Sequence, residues 1–260
     1  MVADIGQGNA VLVRTAGHAL LFDAGPRYSL ESDAGHRVLL PLLKALDVRL
    51  DTVVLSHRDT DHVGGAAAVL AMQPQAALLS SIEPDHPLQQ LRTAQRCEAG
   101  QRWVWDGVQL EILSPQPADY QASPPLKPNA LSCVLRISDG THTALLVGDI
   151  EAAQEARLVA AWQGTDHLRA DMLLVPHHGS KTSSTPEFLL AVAPQWALVQ
   201  AGYRNRFGHP AAPVVERYAQ AGTHLVSSPR CGAMRWRSEQ PQNVACLREE
   251  ERRYWHHDVP

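Results

Sequence analysis

Two histidines and two aspartates are crowded into residues 56–65, which read Ser-His-Arg-Asp-Thr-Asp-His-Val-Gly-Gly. These four side chains are His57, Asp59, Asp61 and His62. Imidazole nitrogens and carboxylate oxygens are the ligands that proteins offer to divalent zinc, manganese and iron. Neighbouring carboxylates repel one another unless a cation lies between them. The cluster therefore predicts a metal site rather than a polar loop of chance composition.

The sequence on either side of this cluster predicts a strand-to-helix loop. Residues 50–55 are apolar and rich in β-branched side chains, which is typical of a buried strand. After the cluster, Gly64 and Gly65 precede Ala66–Met72, which has the composition of a helix. A loop fixed by a rigid scaffold can direct several side chains at one point. We expect the glycines to allow close packing around the site.

Three later positions add candidate ligands. Asp149 follows an apolar strand and precedes a predicted helix, so it could bridge two metals or cap the helix. His177 and His178 stand before Gly-Ser at the end of another apolar strand, a position that favours a site over packing. His209 lies in Gly-His-Pro after a polar loop that contains Asn205, where a surface or capping histidine is an equal alternative.

Composition sets limits on the class of protein. The chain has 260 residues, 45% of them hydrophobic and 19% charged, which suits one large domain or two small ones with a sizeable core. No apolar run approaches the roughly 20 residues needed to cross a bilayer. A net charge of −4 excludes a global basic field that would attract nucleic acid.

Arginines are concentrated towards the end of the chain. They are Arg204, Arg206, Arg230, Arg235, Arg237, Arg248, Arg252 and Arg253. A solvated surface is one interpretation, and a groove that meets phosphates is the other.

The four cysteines are Cys97, Cys133, Cys231 and Cys246. They lack the CxxC spacing of metal sites and do not define a disulfide framework in a chain of this length. We therefore expect free thiols, with a local bridge between Cys231 and Cys246 as the alternative.

The order of the predicted elements indicates the architecture. Strands come first and are followed by mixed strands and helices, and this order occurs twice. Residues 100–113 are predicted to form a hairpin, and residues 114–128 a long loop. Two sheets packed face to face with helices outside satisfy this order. We expect an α/β protein, a four-layer αββα sandwich that forms a single domain over residues 1–260.

Beyond composition, the motifs resemble a known family. Residues 57–65 are similar to the HxHxDH signature of the metallo-β-lactamase superfamily, with Asp59 in place of the second histidine. Residues 4–10, Asp-Ile-Gly-Gln-Gly-Asn-Ala, resemble the opening of the C-terminal domain of the ComEC DNA-uptake proteins. Further motifs follow in the order of that family: Phe22-Asp23-Ala24-Gly25, Leu40-Pro41-Leu42-Leu43, Gly148-Asp149, residues 176–184 and residues 205–210.

The resemblance implies a metallo-β-lactamase fold and a longer parent protein. In the ComEC family this domain is attached to a polytopic membrane channel and to an OB-type domain, and neither is in this chain. Because residues 1–4 begin as if at the edge of a fold, we expect an excised domain. The full-length protein would lie in the bacterial inner membrane with this domain on the outer, periplasmic side.

The resemblance also implies two divalent metal ions. The first would be held by His57, Asp59 and Asp149, and the second by Asp61, His62, Asp149 and one of His177 and His178. The superfamily usually supplies one more histidine to the first metal, and none stands near residues 129–132. Oxygen-rich ligand sets shift preference towards manganese, so we expect Mn²⁺, with Zn²⁺ possible.

The implied activity is a metal-dependent DNA nuclease that degrades the strand that is not imported, with single-stranded DNA as the expected partner. The expected catalytic residues are Asp61, His57 and Lys181, and the expected substrate-binding residues are Gln7, Asn9, Ser180, Ser183, Ser184, Asn205 and His209. Asn9 stands where the family commonly has Asp, which leaves it a hydrogen-bonding role. Trp103, Trp105, Tyr203 and Phe207 could stack bases or pack in the core.

Two other functions fit the same metal loop, because fold does not fix substrate. One is a small-molecule phosphodiesterase or lactonase-type hydrolase. The other is a non-catalytic DNA-uptake module that keeps vestigial ligands. The metal's identity, the polarity of cleavage and the choice between endonuclease and exonuclease are left open by the sequence.

Overall fold

The computed structural model describes residues 1–252. The strands are β1 (Val11–Arg14), β2 (Ala19–Phe22), β3 (Arg27–Ser29), β4 (Ser32–Asp33), β5 (Thr52–Leu55), β6 (Ala77–Ser80), β7 (Gln95–Arg96), β8 (Arg102–Trp105), β9 (Val108–Ser114), β10 (Val134–Ser138), β11 (Thr143–Leu146), β12 (Met172–Leu174), β13 (Trp196–Val199), β14 (His224–Ser227), β15 (Met234–Trp236) and β16 (Val244–Cys246). The helices are α1 (Leu40–Ala45), α2 (Thr60–Val63), α3 (Ala66–Met72), α4 (Leu88–Leu91), α5 (Ala152–Ala161), α6 (Pro186–Val192), α7 (Ala212–Gln220), α8 (Ser228–Cys231) and α9 (Leu247–Glu250).

Two sheets contain most of these strands. The first has the order β1-β2-β5-β6-β7, in which β1 is antiparallel to β2 and the remaining neighbours are parallel. The second has the order β14-β13-β12-β11-β10-β9-β8, parallel from β11 to β14 and antiparallel from β8 to β11. In sheets of this kind, functional side chains gather where the parallel strands end.

Buried apolar side chains divide into three clusters, which lie between four layers. Along β2, Leu20 and Phe22 face the second sheet, whereas Leu21 faces the helices outside the first. Successive strand residues point to opposite faces, so a strand buried on both sides is apolar throughout. On the far face of the second sheet, Leu173 packs with Phe188 of α6. The αββα arrangement predicted from the element order is confirmed.

Several predicted elements occur close to their expected bounds. The helix Ala66–Met72 is present as predicted, and the hairpin over residues 100–113 is formed by β8 and β9. The loop over residues 114–128 contains one short helical turn, Pro117–Gln121. In residues 1–252, no helix is both long enough and apolar enough to span a bilayer.

The expectation of free thiols is wrong, because all four cysteines form disulfides. Cys97 is bonded to Cys133, and Cys231 is bonded to Cys246. Cys97 follows β7 of the first sheet and Cys133 precedes β10 of the second, so this bridge joins the two sheets. Face-to-face packing brings together residues that are 36 positions apart, and spacing alone does not reveal such a contact.

The arginines near the end of the chain do not form one groove. Arg248 pairs with Asp4 at 2.7 Å, and Arg235 pairs with Glu250 at 3.5 Å. Arg235 also lines a cavity of about 520 Å³ at the edge of the sandwich where β1 ends. Arg253 lies outside the described residues. Arg230, Arg248 and Arg252 line a second cavity, of about 790 Å³. The fold thus divides these arginines between separate cavities, and the interpretation as a phosphate groove stays a prediction.

Candidate metal centre

The loop after β5 brings the four predicted ligands to the edge of the first sheet. His57 follows β5 closely, Asp59 precedes α2, and Asp61 and His62 lie within that helix. The amides of His62 and Val63 donate to the carbonyl of Asp59 at 2.9 and 3.0 Å, which fixes the first turn. The loop therefore has a defined conformation, in which His57 and His62 are buried and approach Asp149 of the second half of the chain.

Glycines allow this loop to pack closely against neighbouring backbone. A Cβ atom on Gly8 would collide with the carbonyl oxygen of Asp61, and one on Gly65 would collide with the backbone of Gly35. Gly64 is packed equally closely against the backbone of residues 26–27. The expectation that glycines permit close packing around the site is confirmed.

Polar side chains from both sheets converge at this edge. Asp149 Oδ1 lies 3.2 Å from His62 Nε2 and 3.5 Å from His178 Nε2. Asp149 Oδ2 lies 4.0 Å from His57 Nε2. Asp61 Oδ2 lies 3.3 Å from His178 Nε2. Two groups of potential ligand atoms result, each within 4.8 Å: His57, His62 and Asp149, and Asp61, His62 and His178.

Asp23 and Ser56 orient the two histidines of the loop. Asp23 is fully buried, and its Oδ2 accepts hydrogen bonds from His62 Nδ1 and Ser56 Oγ, both at 2.8 Å. Because the Ser56 hydroxyl proton goes to Asp23, Ser56 Oγ can accept from His57 Nδ1 at 3.0 Å. This pattern has each ring donate through Nδ1, so that Nε2 faces the centre as the atom that could ligate a cation.

Gln200 and Ser132 orient the ligands that come from the second sheet. The carbonyl of Gln200, directly after β13, accepts from His178 Nδ1 at 3.0 Å. Ser132 Oγ accepts from the backbone amide of Asp149 at 3.1 Å and lies 3.4 Å from His57 Nδ1. The orienting roles of Asp23, Ser132 and Gln200 were not predicted from the sequence. For Asp23 a signal was present, namely an acidic residue directly after a buried strand.

Four buried atoms in this centre have no hydrogen-bond partner among residues 1–252: His57 Nε2, His62 Nε2, His178 Nε2 and Asp149 Oδ1. An unpaired buried polar atom costs about 1–3 kcal/mol, so four together need a compensating ligand. Three imidazole nitrogens and a carboxylate oxygen are donors that a divalent cation accepts. The residues present therefore fit the metal ions that the sequence predicts.

Charge coupling within the cluster is strong. Burial alone would raise the pKa of Asp61, but the close approach of His178, at 3.3 Å, and the charge of His62 outweigh it and lower that pKa to about 2. Burial also opposes ionisation of Asp149, yet His62 and His178 hold its pKa well below the usual value. Conversely, Asp149 raises the pKa values of His62 and His178 against the effect of burial. A bound cation would take the place of protons here.

His177 and Asp59 lie at the rim of the centre. His177 Nε2 is 3.7 Å from Asp149 Oδ2, and its side chain is 22% exposed. Asp59 Oδ2 is 3.6 Å from His57 Nε2, and its side chain is 45% exposed. Of the two adjacent histidines, His178 is the one that joins the buried cluster. The ligand roles of His177 and Asp59 stay predictions.

The residues after His178 divide into exposed and buried positions. Lys181 is exposed, and Ser180 is 8% exposed. Ser183 and Ser184 are fully buried. Ser183 Oγ donates to the carbonyl of Pro176 at 2.9 Å, and the Ser184 hydroxyl lies 3.1 Å from that of Tyr218. Both side chains are thus engaged in holding the loop, Ser183 to its own backbone and Ser184 against α7, and their expected substrate contacts stay predictions.

Asn205 and Gln7 shape the loop after β13. Asn205 Nδ2 donates to the carbonyls of Gly202 and His209 at 2.9 and 2.6 Å. Asn205 Oδ1 accepts from the amides of Phe207 and His209 at 3.2 and 3.0 Å. Gln7 Oε1 accepts from the amide of Gly202 at 3.0 Å. Both side chains, predicted to bind substrate, are thus engaged in holding the loop.

Asn9 and His209 lie next to the cluster. Asn9 is 1% exposed, its backbone amide donates to the carbonyl of Asp61 at 3.2 Å, and neither atom of its side-chain amide has a partner within residues 1–252. The ring of His209 lies 5.9 Å from that of His177 and 6.5 Å from that of His178. The substrate-binding roles of Asn9 and His209 stay predictions that this proximity permits.

Comparisons with known proteins agree with this geometry. The family model described as the metallo-beta-lactamase superfamily matches residues 3–202. Competence protein ComA of Neisseria gonorrhoeae is 38% identical over 90% of this chain and 31% of its own length. Recombination protein 2 of Haemophilus influenzae is 36% identical over 82% of this chain and 25% of its own length. The chain thus spans about a quarter to a third of these relatives, and the resemblance to the ComEC family is confirmed.

Solved structures support the fold. YhfI of Bacillus subtilis, a metallo-beta-lactamase fold protein, superposes with a TM-score of 0.54 at 14% identity, over 87% of this chain and 94% of YhfI. At that identity the likeness establishes the fold alone. The matched family model and the ligand cluster agree with this fold. This chain therefore belongs to the metallo-beta-lactamase superfamily, whose members are generally metal-dependent hydrolases.

Proposed function

We propose that this chain is the nuclease domain of a longer DNA-uptake protein and that it hydrolyses phosphodiester bonds of single-stranded DNA with two divalent metal ions. The observation that carries the proposal is the convergence of unpaired buried ligand atoms on Asp149. Such a pair of ions is a recurrent solution for phosphodiester hydrolysis. The kinship with a competence protein supports DNA as the substrate.

Asp149 is the proposed bridge between the two ions. Its Oδ2 faces His57 and His177, at 4.0 and 3.7 Å, so these residues and Asp59 would hold the first ion. Its Oδ1 faces His62 and His178, at 3.2 and 3.5 Å, so these residues and Asp61 would hold the second. Asp59 and Asp61 make the sites richer in oxygen, which favours Mn²⁺, with Zn²⁺ as the alternative.

The bound ions would supply Lewis acidity and lower the pKa of water. Asp61 would orient the attacking water, since its Oδ1 lies 3.9 Å from His62 Nε2 and its Oδ2 lies 3.3 Å from His178 Nε2. His57 would act on the scissile phosphate through the first ion, which its Nε2 would hold beside Asp149. Lys181, exposed two residues after Gly179, would contact a phosphate oxygen.

In the longer protein, we propose that this domain lies on the periplasmic side of the inner membrane, next to a membrane channel and an OB-type domain. Two disulfides within residues 1–252 support an oxidising compartment, because such bridges are rare in reducing ones.

The test is cleavage of end-labelled single-stranded and duplex DNA by the purified chain with Mn²⁺, Zn²⁺ or a chelator. We expect Mn²⁺-dependent cleavage that prefers the single strand and is abolished in Asp61→Ala. Asp51→Ala is the matched control, because Asp51 lies at the opposite end of β5, bound to the amide of Ala19 at 2.8 Å.

The alternatives give different results. If the wild type hydrolyses a small phosphodiester or a lactone but leaves all DNA intact, the chain is a small-molecule hydrolase. If it binds DNA but hydrolyses nothing under any metal, it is a non-catalytic uptake module. Either result would overturn the proposed nuclease.

A further inference from the structure

A loop beside the metal centre exposes two aromatic rings to solvent. It comprises residues 202–209, after β13, and we call it the aromatic loop. Phe207 is 53% exposed and Tyr203 is 43% exposed. Large rings that stay partly in solvent forgo burial that would stabilise the fold. Such exposure next to a functional site favours a binding role.

The aromatic loop is connected to the metal centre through stacked rings. Phe207 and His209 have ring centroids 5.6 Å apart with an interplanar angle of 23°. His209 in turn lies 5.9 Å from His177, which faces Asp149. Phe207 is therefore linked to the rim of the metal centre through His209 and His177.

Arginines of the same loop lie over these rings. The guanidinium of Arg206 lies 4.8 Å from the ring centroid of Phe207, and that of Arg204 lies 5.1 Å from the centroid of Tyr203. Neither guanidinium forms an ion pair with a carboxylate in the part of the chain that is described. Unlike Arg235 and Arg248, which are paired with carboxylates, both are available to a phosphate.

The loop is preorganised rather than loose. The side-chain amide of Asn205 makes four hydrogen bonds to the loop backbone, with the amide of Phe207 among the donors. Gln7 holds the start of the loop through the amide of Gly202. Because its backbone is fixed before a ligand arrives, the loop loses less entropy on binding.

The other aromatic pair considered from the sequence lies elsewhere. Trp103 and Trp105 are partly buried, pack against the core between the sheets and contact each other edge to face at 6.0 Å. His18 stacks on Trp105 at 5.0 Å, at the end of the sandwich remote from the metal centre. Core packing accounts for both tryptophans, whereas Phe207 is 53% exposed beside the metal centre.

We infer that the aromatic loop is a platform for unpaired DNA, in which Phe207 and Tyr203 stack on bases while Arg206 and Arg204 contact the flanking phosphates. This inference rests on the proposed nuclease, because the platform would make the metal centre prefer single-stranded DNA. Paired bases in a duplex are already stacked on their neighbours and do not offer a free face to the loop. Aromatic stacking of this kind is tolerant of sequence.

The test measures binding separately from cleavage. Fluorescence anisotropy of a labelled single-stranded oligonucleotide is recorded with Mn²⁺ in an Asp61→Ala background, which keeps the DNA intact if the proposed nuclease is correct. A base stacked on an aromatic ring contributes about 1–3 kcal/mol, so Phe207→Ala should weaken binding about 5- to 150-fold. Phe207→Trp should retain the affinity of the parent.

Two further probes separate stacking from charge. An abasic oligonucleotide of equal length should bind Phe207→Ala and its parent equally. Arg206→Gln should lower the slope of log affinity against log salt by about 0.7, the value for one lost phosphate contact on a single strand. Leu190→Ala, at an apolar side chain of α6 that is 81% exposed, is the matched control and should bind as the parent does.

The outcomes distinguish the two proposals. If Phe207→Ala changes the affinity for the single strand by less than about twofold, or weakens the abasic probe as much, the platform is refuted whatever the nuclease assay gives. If no DNA is cleaved by the wild type but the Phe207 effect is present, the platform stands and the proposed nuclease fails.

Discussion

Replacing Asp23 by asparagine tests how the metal centre is oriented. The carboxylate of Asp23 accepts from the amide of Ser56 at 2.6 Å, from Ser56 Oγ at 2.8 Å and from His62 Nδ1 at 2.8 Å. In the variant an amide NH₂ would face His62 Nδ1 and donate to it. The ring would then carry its proton on Nε2, the atom that faces the metal centre.

The magnitude follows from these contacts. Changes in groups that orient metal-binding histidines typically reduce metal affinity about 10- to 100-fold, which corresponds to about 1.4–2.7 kcal/mol. The metal-free protein should also lose about 1.5–3 kcal/mol of unfolding free energy, the value of a hydrogen bond to a charged group. Backbone strain adds little, because asparagine tolerates the φ of 58° that Asp23 adopts.

The assay is competition between each variant and a fluorescent chelator for Mn²⁺ and Zn²⁺, with urea unfolding in EDTA as a second readout. Asp51→Asn is the control at a half-exposed carboxylate remote from the centre, and its metal affinity should be unchanged. If Asp23→Asn folds and binds metal within about twofold of the wild type, Asp23 does not set the tautomer of His62 and the reasoning is refuted.

Two more predictions concern the metal centre, and a third concerns the disulfide between the two sheets. In Asp149→Asn, the number of metal ions bound per protein chain, measured by elemental analysis, should fall to about half or less of the wild-type value. The reason is that one carboxylate would bridge both ions, and a variant with full occupancy would contradict the bridge. Metal at a thousandfold excess over its Kd should raise the unfolding free energy by about 4 kcal/mol. Thermal unfolding should show this increase and its reversal by EDTA, and equal stability with and without metal would count against the site. Replacing Cys97 and Cys133 by alanine should cost about 4 kcal/mol, the loop-closure value for residues 36 positions apart, measured by urea unfolding against the wild type under oxidising conditions.

Local chemistry made much of this centre predictable. Residues 57–62 carry their ligand types within one short segment, and Asp149 and His178 each follow an apolar strand. Parallel strands end at a common edge, so polar residues at their carboxyl ends meet without any contact being known. The apolar strands also predicted two sheets buried on both faces, and the three core clusters agree.

Other features depend on distances that a sequence does not contain. Ser183 and Ser184 have the composition of a phosphate loop, yet the chain folds back and buries both, and Ser184 bonds to Glu155 of α5 and approaches Tyr218 of α7. Asn205 was expected to meet substrate, and its amide is used by its own loop. In each case the polar side chain bonds to neighbouring protein groups, because a polar atom that loses contact with water needs another hydrogen-bond partner.

The sequence alone determined the kinds of ligand and the strand ends that hold them, because residue type and hydrophobic period are local properties. Only the tertiary structure decided that His178 enters the buried cluster while His177 stays at the rim, and that Cys97 meets Cys133 across the two sheets. It also decided that Asp23 fixes the ring of His62. These pairings follow from how two sheets pack face to face, and that packing is a property of the whole chain.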